Sequence, residues 1–245
     1  MRAIWPFAVC LSFSTVPLLR AADRSTLADA DAAYAKRDDV SQANIAMMDY
    51  ERNAVSHPEE AVESYWKASR AAWWVGDHAK KRADRLALFD EGVRDARHAL
   101  ALQSDSVEAH FWLGSNLGSY GEAKGVMKSL SLVKPVRREM AEVLKLNERF
   151  MNGAAYQVLG VIDYEVPGIA GGSKKRAQEE LDKALAMGPN DPFVHYYRAE
   201  FYHVMGKKAE ARAEVETLRT LDVAPDDVPE LKRAQQEAAD KRLGE

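Results

Sequence analysis

Three separated stretches of the chain repeat one pattern, and that repetition narrows the possible folds more than any other feature. They are "AHFWLGSNLGSYG" (Ala109–Gly121), "AAYQVLGVIDYEVPG" (Ala154–Gly168) and "HYYRAEFYHVMGKKAEA" (His195–Ala211). Each sets an aromatic residue shortly before a Leu-Gly or Arg-Ala pair and then turns through glycine. A second run follows each one: "RREMAEVLKLN", "RAQEELDKALAMGPND" and "ARAEVETLRTLD". From Ser25 onward apolar residues recur at helical spacing and almost nowhere alternate as a strand requires. Alanine, leucine, glutamate, lysine and arginine dominate, and all are good helix formers. The fold class is all-α.

A helix, a turn and a second helix in units of about 34 residues is the pattern of the tetratricopeptide repeat. Small residues let two helices cross closely, aromatic and leucine side chains fill the gap, and proline stops the second helix. Upstream, "AVESYWKASRAAWWVGD" (Ala61–Asp77) reads as another first helix, and "QANIAMMDYERNAVSHP" (Gln42–Pro58) as a second helix with its stop. About five hairpins follow, above the roughly three that a repeat array needs. Spacing is irregular, with extra residues after Gly76 ("HAKKRADRLA"), after Gly121 ("EAKGVMKSLS") and at "GIAGG". Such insertions map to one face and build binding pockets there. The expected division is a signal peptide over 1–22, a tetratricopeptide-like domain over 23–228, and a charged, solvated helical cap over 229–245.

The first residues, "MRAIWPFAVCLSFSTVPLLRAADR", combine a basic start at Arg2, an apolar run and small residues at Ala21 and Ala22. That is the order of a cleaved secretory signal. The run is interrupted by Pro6 and Pro17 and falls short of the roughly 20 apolar residues of a spanning helix. Cys10 is the one cysteine, and "FAVC" is not a lipoprotein cleavage pattern, so lipid anchoring is not expected. Cleavage removes Cys10, leaving no thiol for a disulfide or a metal. It also removes Arg2 and Arg20 from 34 basic residues, leaving 32 against 38 acidic ones. The expected location is the periplasm or the exterior. An acidic chain lacks the basic surplus that nucleic-acid binding needs, so nucleic acid is not an expected partner.

Motifs for chemistry do not assemble. "PGIAGGSKKRA" approaches a phosphate loop, but lysine does not directly follow the last glycine, Ser173 precedes Lys174, and the preceding segment is helical rather than strand. As a turn it is self-explanatory: Pro167 stops a helix, the glycines bend, and Ser173 caps the next helix. Lys174 and Lys175 then stand where an anionic group would dock. Glu200 and His203 share a helix face, yet a dinuclear carboxylate site needs that pair twice. No Gly-x-Ser-x-Gly elbow is present. No catalytic residue, metal ligand or cofactor is expected, and the chain is read as a non-enzyme.

Taken together, "LFDEGVRDARHALAL", "HFWLG", "YEVPG" and "GGSKKRA" resemble the T-component family associated with TRAP transporters, secreted tetratricopeptide-like bacterial proteins. The resemblance runs from about Asp38 to Asp222 and includes the insertions. It implies an extracytoplasmic homo-oligomer that partners a periplasmic solute-binding protein of organic-acid uptake, with an apolar channel or pocket for a small organic ligand. A plain repeat scaffold for envelope proteins, without a small ligand, is the second reading.

Aromatic residues supply the remaining candidates. Trp66, Trp73, Trp74, Trp112, Tyr156 and Tyr164 cluster on first helices. Trp112 and Tyr156 hold the aromatic core position of the repeat. Trp73 and Trp74 are adjacent, so they point in different directions about a helix and one of them is free for a ligand or partner.

Overall fold

A computed structural model describes residues 26–245 except 126 and 128. The expected signal peptide, with Cys10, lies outside the described residues. The helices are α1 (Leu27–Tyr34), α2 (Val40–Ser56), α3 (Ala61–His78), α4 (Arg82–Leu102), α5 (Val107–Lys124) and α6 (Leu130–Asn147). They continue with α7 (Ala154–Glu165), α8 (Lys174–Met187), α9 (Pro192–Val204), α10 (Lys208–Thr220) and α11 (Val228–Asp240). Among the described residues there is no strand.

Local chemistry sets many of the starts. Thr26, Asp39, Ser106, Ser173 and Asp191 each accept a hydrogen bond from an otherwise unpaired amide of the following helix. Asp29 reciprocates at the first of them, bonding the Thr26 amide at 3.1 Å. Successive helices pair as hairpins, α1 with α2 through α9 with α10, and α11 lies against α9 and α10. The small residues of the repeat do the work expected of them. A Cβ on Gly114 would stand 2.2 Å from Met140 Cε, and one on Gly160 would stand 2.8 Å from Leu181 Cγ. The third copy has Ala199, fully buried.

The extra residues after Gly76, expected to enlarge the turn, instead mostly lengthen α4, and those after Gly121 join helices only at Glu122–Lys124 and from Leu130 onward. The four helices α3 to α6 have 18, 21, 18 and 18 residues, against 12 to 14 in α7 to α10. At 1.5 Å per residue the longer helices reach roughly 9 Å further. Helix propensity is the reason after Gly76, where "HAKKRADRLA" is rich in alanine, lysine and arginine, whereas Gly125 interrupts the second stretch.

The array also bends until its ends meet. Arg37, after α1, forms two bonds to the Glu230 carboxylate of α11 at 2.9 and 2.6 Å. Lys232 pairs with Asp38 at 2.5 Å, and Arg233 with Asp77 at 2.5 Å. Ring contact accompanies the charges, with Trp73 of α3 edge-on to Phe193 of α9 at 6.1 Å. The tail expected to be solvated buries Ala234, Ala238 and Leu243, because one side of α11 closes the array.

Candidate functional site

Bending encloses a cavity of about 960 Å³, within the range of small-molecule sites. Its wall is built from the first helices of the hairpins, α3, α5, α7 and α9, and from α11. The starts of the long helices α4 and α6 contribute Arg85, Leu132 and Val133. Lengthening those hairpins therefore deepens the cavity wall.

The middle of the wall is aromatic. Trp73 stands 5.8 Å from Trp112 and its indole N–H donates to Ser119 Oγ at 2.9 Å. Phe193 stacks on Tyr197 at 6.0 Å, and Phe111 meets Trp112 edge-on at 5.0 Å. Val158, Val161 and Ile162 of α7 supply aliphatic surface beside them. Such a wall takes an apolar body and leaves few places for a polar group.

The two ends differ. At the amino ends of α7 and α9, Met151, Asn152 and Gly153 take left-handed backbone angles in succession, with φ of 44, 55 and 84°. Asp191 caps α9 there and accepts a bond from the Gln157 amide at 2.8 Å. Burial raises its carboxyl above the usual range, partly offset by those hydrogen bonds.

At the carboxyl ends, every one of the five wall helices presents one acid to the cavity: Asp77, Glu122, Glu165, Glu200 and Glu237. Arg233 pairs with Asp77 and Glu237, and Lys241 pairs with Glu200. Glu122 and Glu165 have no ion pair among the described residues, and both side chains are exposed although protein surrounds them. Burial first, then neighbouring carboxylates, raises both carboxyls, opposed for Glu122 by Lys241 and Arg85. Burial would depress Lys241, but Glu200 and Glu122 hold its ammonium above the ordinary value.

The expected site residues separate into two groups. Trp73, Trp74 and Trp112 reach the cavity wall. Trp74 is almost wholly enclosed and donates its N–H to the Arg37 carbonyl at 2.9 Å, so Trp73 is the more open of the adjacent pair. The others lie elsewhere. Trp66 carries the Arg70 guanidinium over its ring at 5.3 Å, and the Tyr156 hydroxyl donates to Glu148 at 2.6 Å. Buried Tyr164 donates to Glu200 at 2.5 Å. Lys174 bonds the Tyr164 carbonyl, and Lys175 pairs with Glu179 at 3.8 Å on the surface.

The carboxylate set escaped sequence reasoning, although a signal exists. Acids near a helix carboxyl end oppose the helix dipole, and five first helices share that unfavourable placement.

A family model described as TRAP transporter T-component matches residues 24–241. Among solved structures, the chain is similar to a thermophilic TPR protein of Thermus thermophilus, with TM-score 0.63 and 18% identity. That match covers 87% of this chain and 96% of the other, and at this identity it speaks for the fold. A search of curated proteins finds no match.

Proposed function

The chain belongs to the TRAP transporter T-component family, and on that premise we propose that it docks a periplasmic solute-binding protein and holds a small organic ligand in its cavity. One observation carries the ligand half: a cavity of about 960 Å³ walled by Trp73, Trp112, Phe193 and Tyr197. Membership supplies the extracytoplasmic setting and the association with a transporter. Among the described residues no helix is long and apolar enough to cross a membrane. Docking is supported by Ile169, 101% exposed at the tip of the loop between α7 and α8, beside the acidic end of the cavity. An exposed aliphatic side chain on a fixed loop is a ready partner contact.

Gly118 gives a clean test of the ligand half. It lies inside α5 on the cavity wall, and a Cβ there would meet nothing within 4 Å. Gly118→Phe should fill the cavity without disturbing its neighbours, keep the thermal midpoint within a few degrees, and abolish binding of an apolar probe followed by tryptophan fluorescence. Unchanged probe binding overturns the cavity reading. For docking, Ile169→Asp should reduce capture of a solute-binding protein by the immobilised chain about tenfold, since a charge would have to be desolvated at the contact. Undiminished capture removes Ile169 from the interface.

A further inference from the structure

The two ends of the hairpins carry opposite charge on their turns. The turns that lead out of α3, α5, α7 and α9 contain no acid, while Lys80, Lys81 and Lys207 lie in them and Arg82, Lys174 and Lys208 open the helices that follow. The turns at the other end carry Glu59, Asp105, Glu148, Asp191 and Asp222 against a single lysine or arginine, Arg149. Acids ahead of a helix stabilise its start, so helix chemistry accounts for the second set. It does not account for the first. The acids of the basic end sit on the first helices and face the cavity, where Arg233 and Lys241 pair with Asp77, Glu237 and Glu200. On the outer helices, Asp84 and Glu210 stand behind the turns, in α4 and α10.

The same turns also expose apolar side chains one by one. Met127 is 71% exposed and Ile169 101%, and Val204 and Met205 are 49% and 40% exposed where α9 ends. They belong to three successive turns, and the turns are fixed at their bases. Arg82 donates to the Ala123 and Lys124 carbonyls at the end of α5, both at 2.7 Å. Arg137 and Arg176 reach the Gly171 carbonyl beside Ile169. Tips held in this way lose little freedom when they are buried. Those arginines are engaged, so the charge left for a partner is carried by lysines. Lysine is depleted from protein–protein contacts, where arginine is enriched. Isolated aliphatic tips among lysines suit instead a surface that is anionic outside and apolar just beneath.

We propose that this end rests on an anionic phospholipid surface, with Met127, Ile169 and Met205 entering the headgroup boundary and Lys80, Lys81, Lys175 and Lys208 facing lipid phosphates. The chain as a whole is acidic, so attraction to such a surface depends on the segregation of charge between its two ends. The assignment goes beyond the docking and cavity readings. It shares Ile169 with the first of them, and the experiment keeps the two apart.

The full chain is sedimented with vesicles at about 0.1 M salt, where charges further away than about 10 Å are largely screened. Vesicles of equimolar phosphatidylglycerol and phosphatidylcholine should be bound about tenfold or more tightly than vesicles of phosphatidylcholine alone. Lys80→Ala/Lys81→Ala/Lys208→Ala should cut that binding about tenfold or more, at up to about fivefold for each charge. Met127→Ser/Ile169→Ser should cut it about fivefold or more. Glu59→Gln/Asp105→Asn, at the other end, should leave it unchanged. All these side chains are exposed, so the variants should fold, and each carries the same amino-terminal segment, so differences between them report the turns. No binding, equal binding to both vesicles, or a lysine variant that binds like the parent overturns the assignment. A gain for Glu59→Gln/Asp105→Asn as large as the loss for the lysine variant also overturns it, because net charge alone would then decide. If vesicles are ignored while the lysine variant loses capture of the solute-binding protein, this end serves an acidic protein surface and the bilayer contact falls. The docking reading fails separately, through undiminished capture by Ile169→Asp.

Discussion

Asp95 shows how one residue can set the chain's response to pH. It lies in α4, 5% exposed, and one of its carboxylate oxygens has no hydrogen-bond partner. Burial, then Glu51 and Glu91, pushes its carboxyl up to about 8, with Arg94 the cation opposing them. Glu51 rises to about 7 through burial and through Glu91. An acid whose folded-state value exceeds its unfolded value of about 4 keeps its proton longer when folded. Its neutral form is accommodated at low pH, and stability declines as pH rises from about 4 towards 8. Asp95→Asn, which makes that neutrality permanent, should raise the thermal midpoint at about pH 8 and change it little at about pH 5. A lowered midpoint at pH 8 would mean that Asp95 is ionised and paired.

At the same scale, Gly172 shows what sequence can disclose about a turn. The sequence marks "GIAGG" as a bend, and Gly171 does take a left-handed φ of 95°. Gly172 answers a different need. A Cβ on it would lie 1.8 Å from the Val166 carbonyl oxygen, a backbone atom that cannot swing away. Gly172→Ala should therefore cost about 1–3 kcal/mol in urea unfolding, the usual cost of overpacking. Composition can suggest that glycines belong in a turn, but only the chain path shows which one is held by close approach.

Among elements, the join of α6, α7 and α8 depends on Asp163. Its carboxylate is fully enclosed and binds two guanidiniums, Arg137 at 2.8 and 3.1 Å and Arg176 at 2.6 and 3.1 Å. Burial alone would raise this acid, but the two arginines outweigh it and hold its carboxyl below the usual range. The Asp163 carbonyl accepts from the Ser173 amide at 2.9 Å, and both arginines also reach the Gly171 carbonyl. The "GGSKKRA" segment is thus held by the arginine after its two lysines. Asp163→Ala should lower unfolding stability by about 3 kcal/mol, the lower end for a broken buried pair, because Arg176 is half exposed and can be hydrated. Asp163 opposes Asp95 in pH response: its contribution is present above about pH 4 and is lost on acidification.

Hairpin order and helix type were legible because they depend on periodicity within a few turns of chain. The lengthening of α3 to α6 was less so, since a helix-prone insertion reads equally as loop or helix until neighbours hold it. Single acids such as Glu165 carry no distinguishing spacing. Their one local mark is that each opposes the dipole of its own helix, and they become a group only when parallel helices bring their ends together.

For the molecule as a whole, closure by Arg37 and Glu230 spans 193 positions of sequence, beyond the reach of any local pattern. Their side chains are 10% and 22% exposed, so the pair is more shielded than an ordinary surface bridge. A double-mutant cycle of Arg37→Ala and Glu230→Ala should give a coupling of about 1–3 kcal/mol. Either single variant should also speed hydrogen exchange in α1 and α11 together, near opposite ends of the chain. Acceleration confined to one helix would show that the two do not open as a unit.

An open repeat array is indifferent to its own length: stability adds unit by unit, and another repeat can be appended between its caps. Here the last helix must arrive where the first turn waits, and the five wall helices must bring five acids to one place. Duplicating or deleting a hairpin would leave every local interface satisfied and still ruin the molecule, because the circle would no longer shut. The repeats have become a counted set, and evolution can alter this chain by substitution far more readily than by copying its own unit.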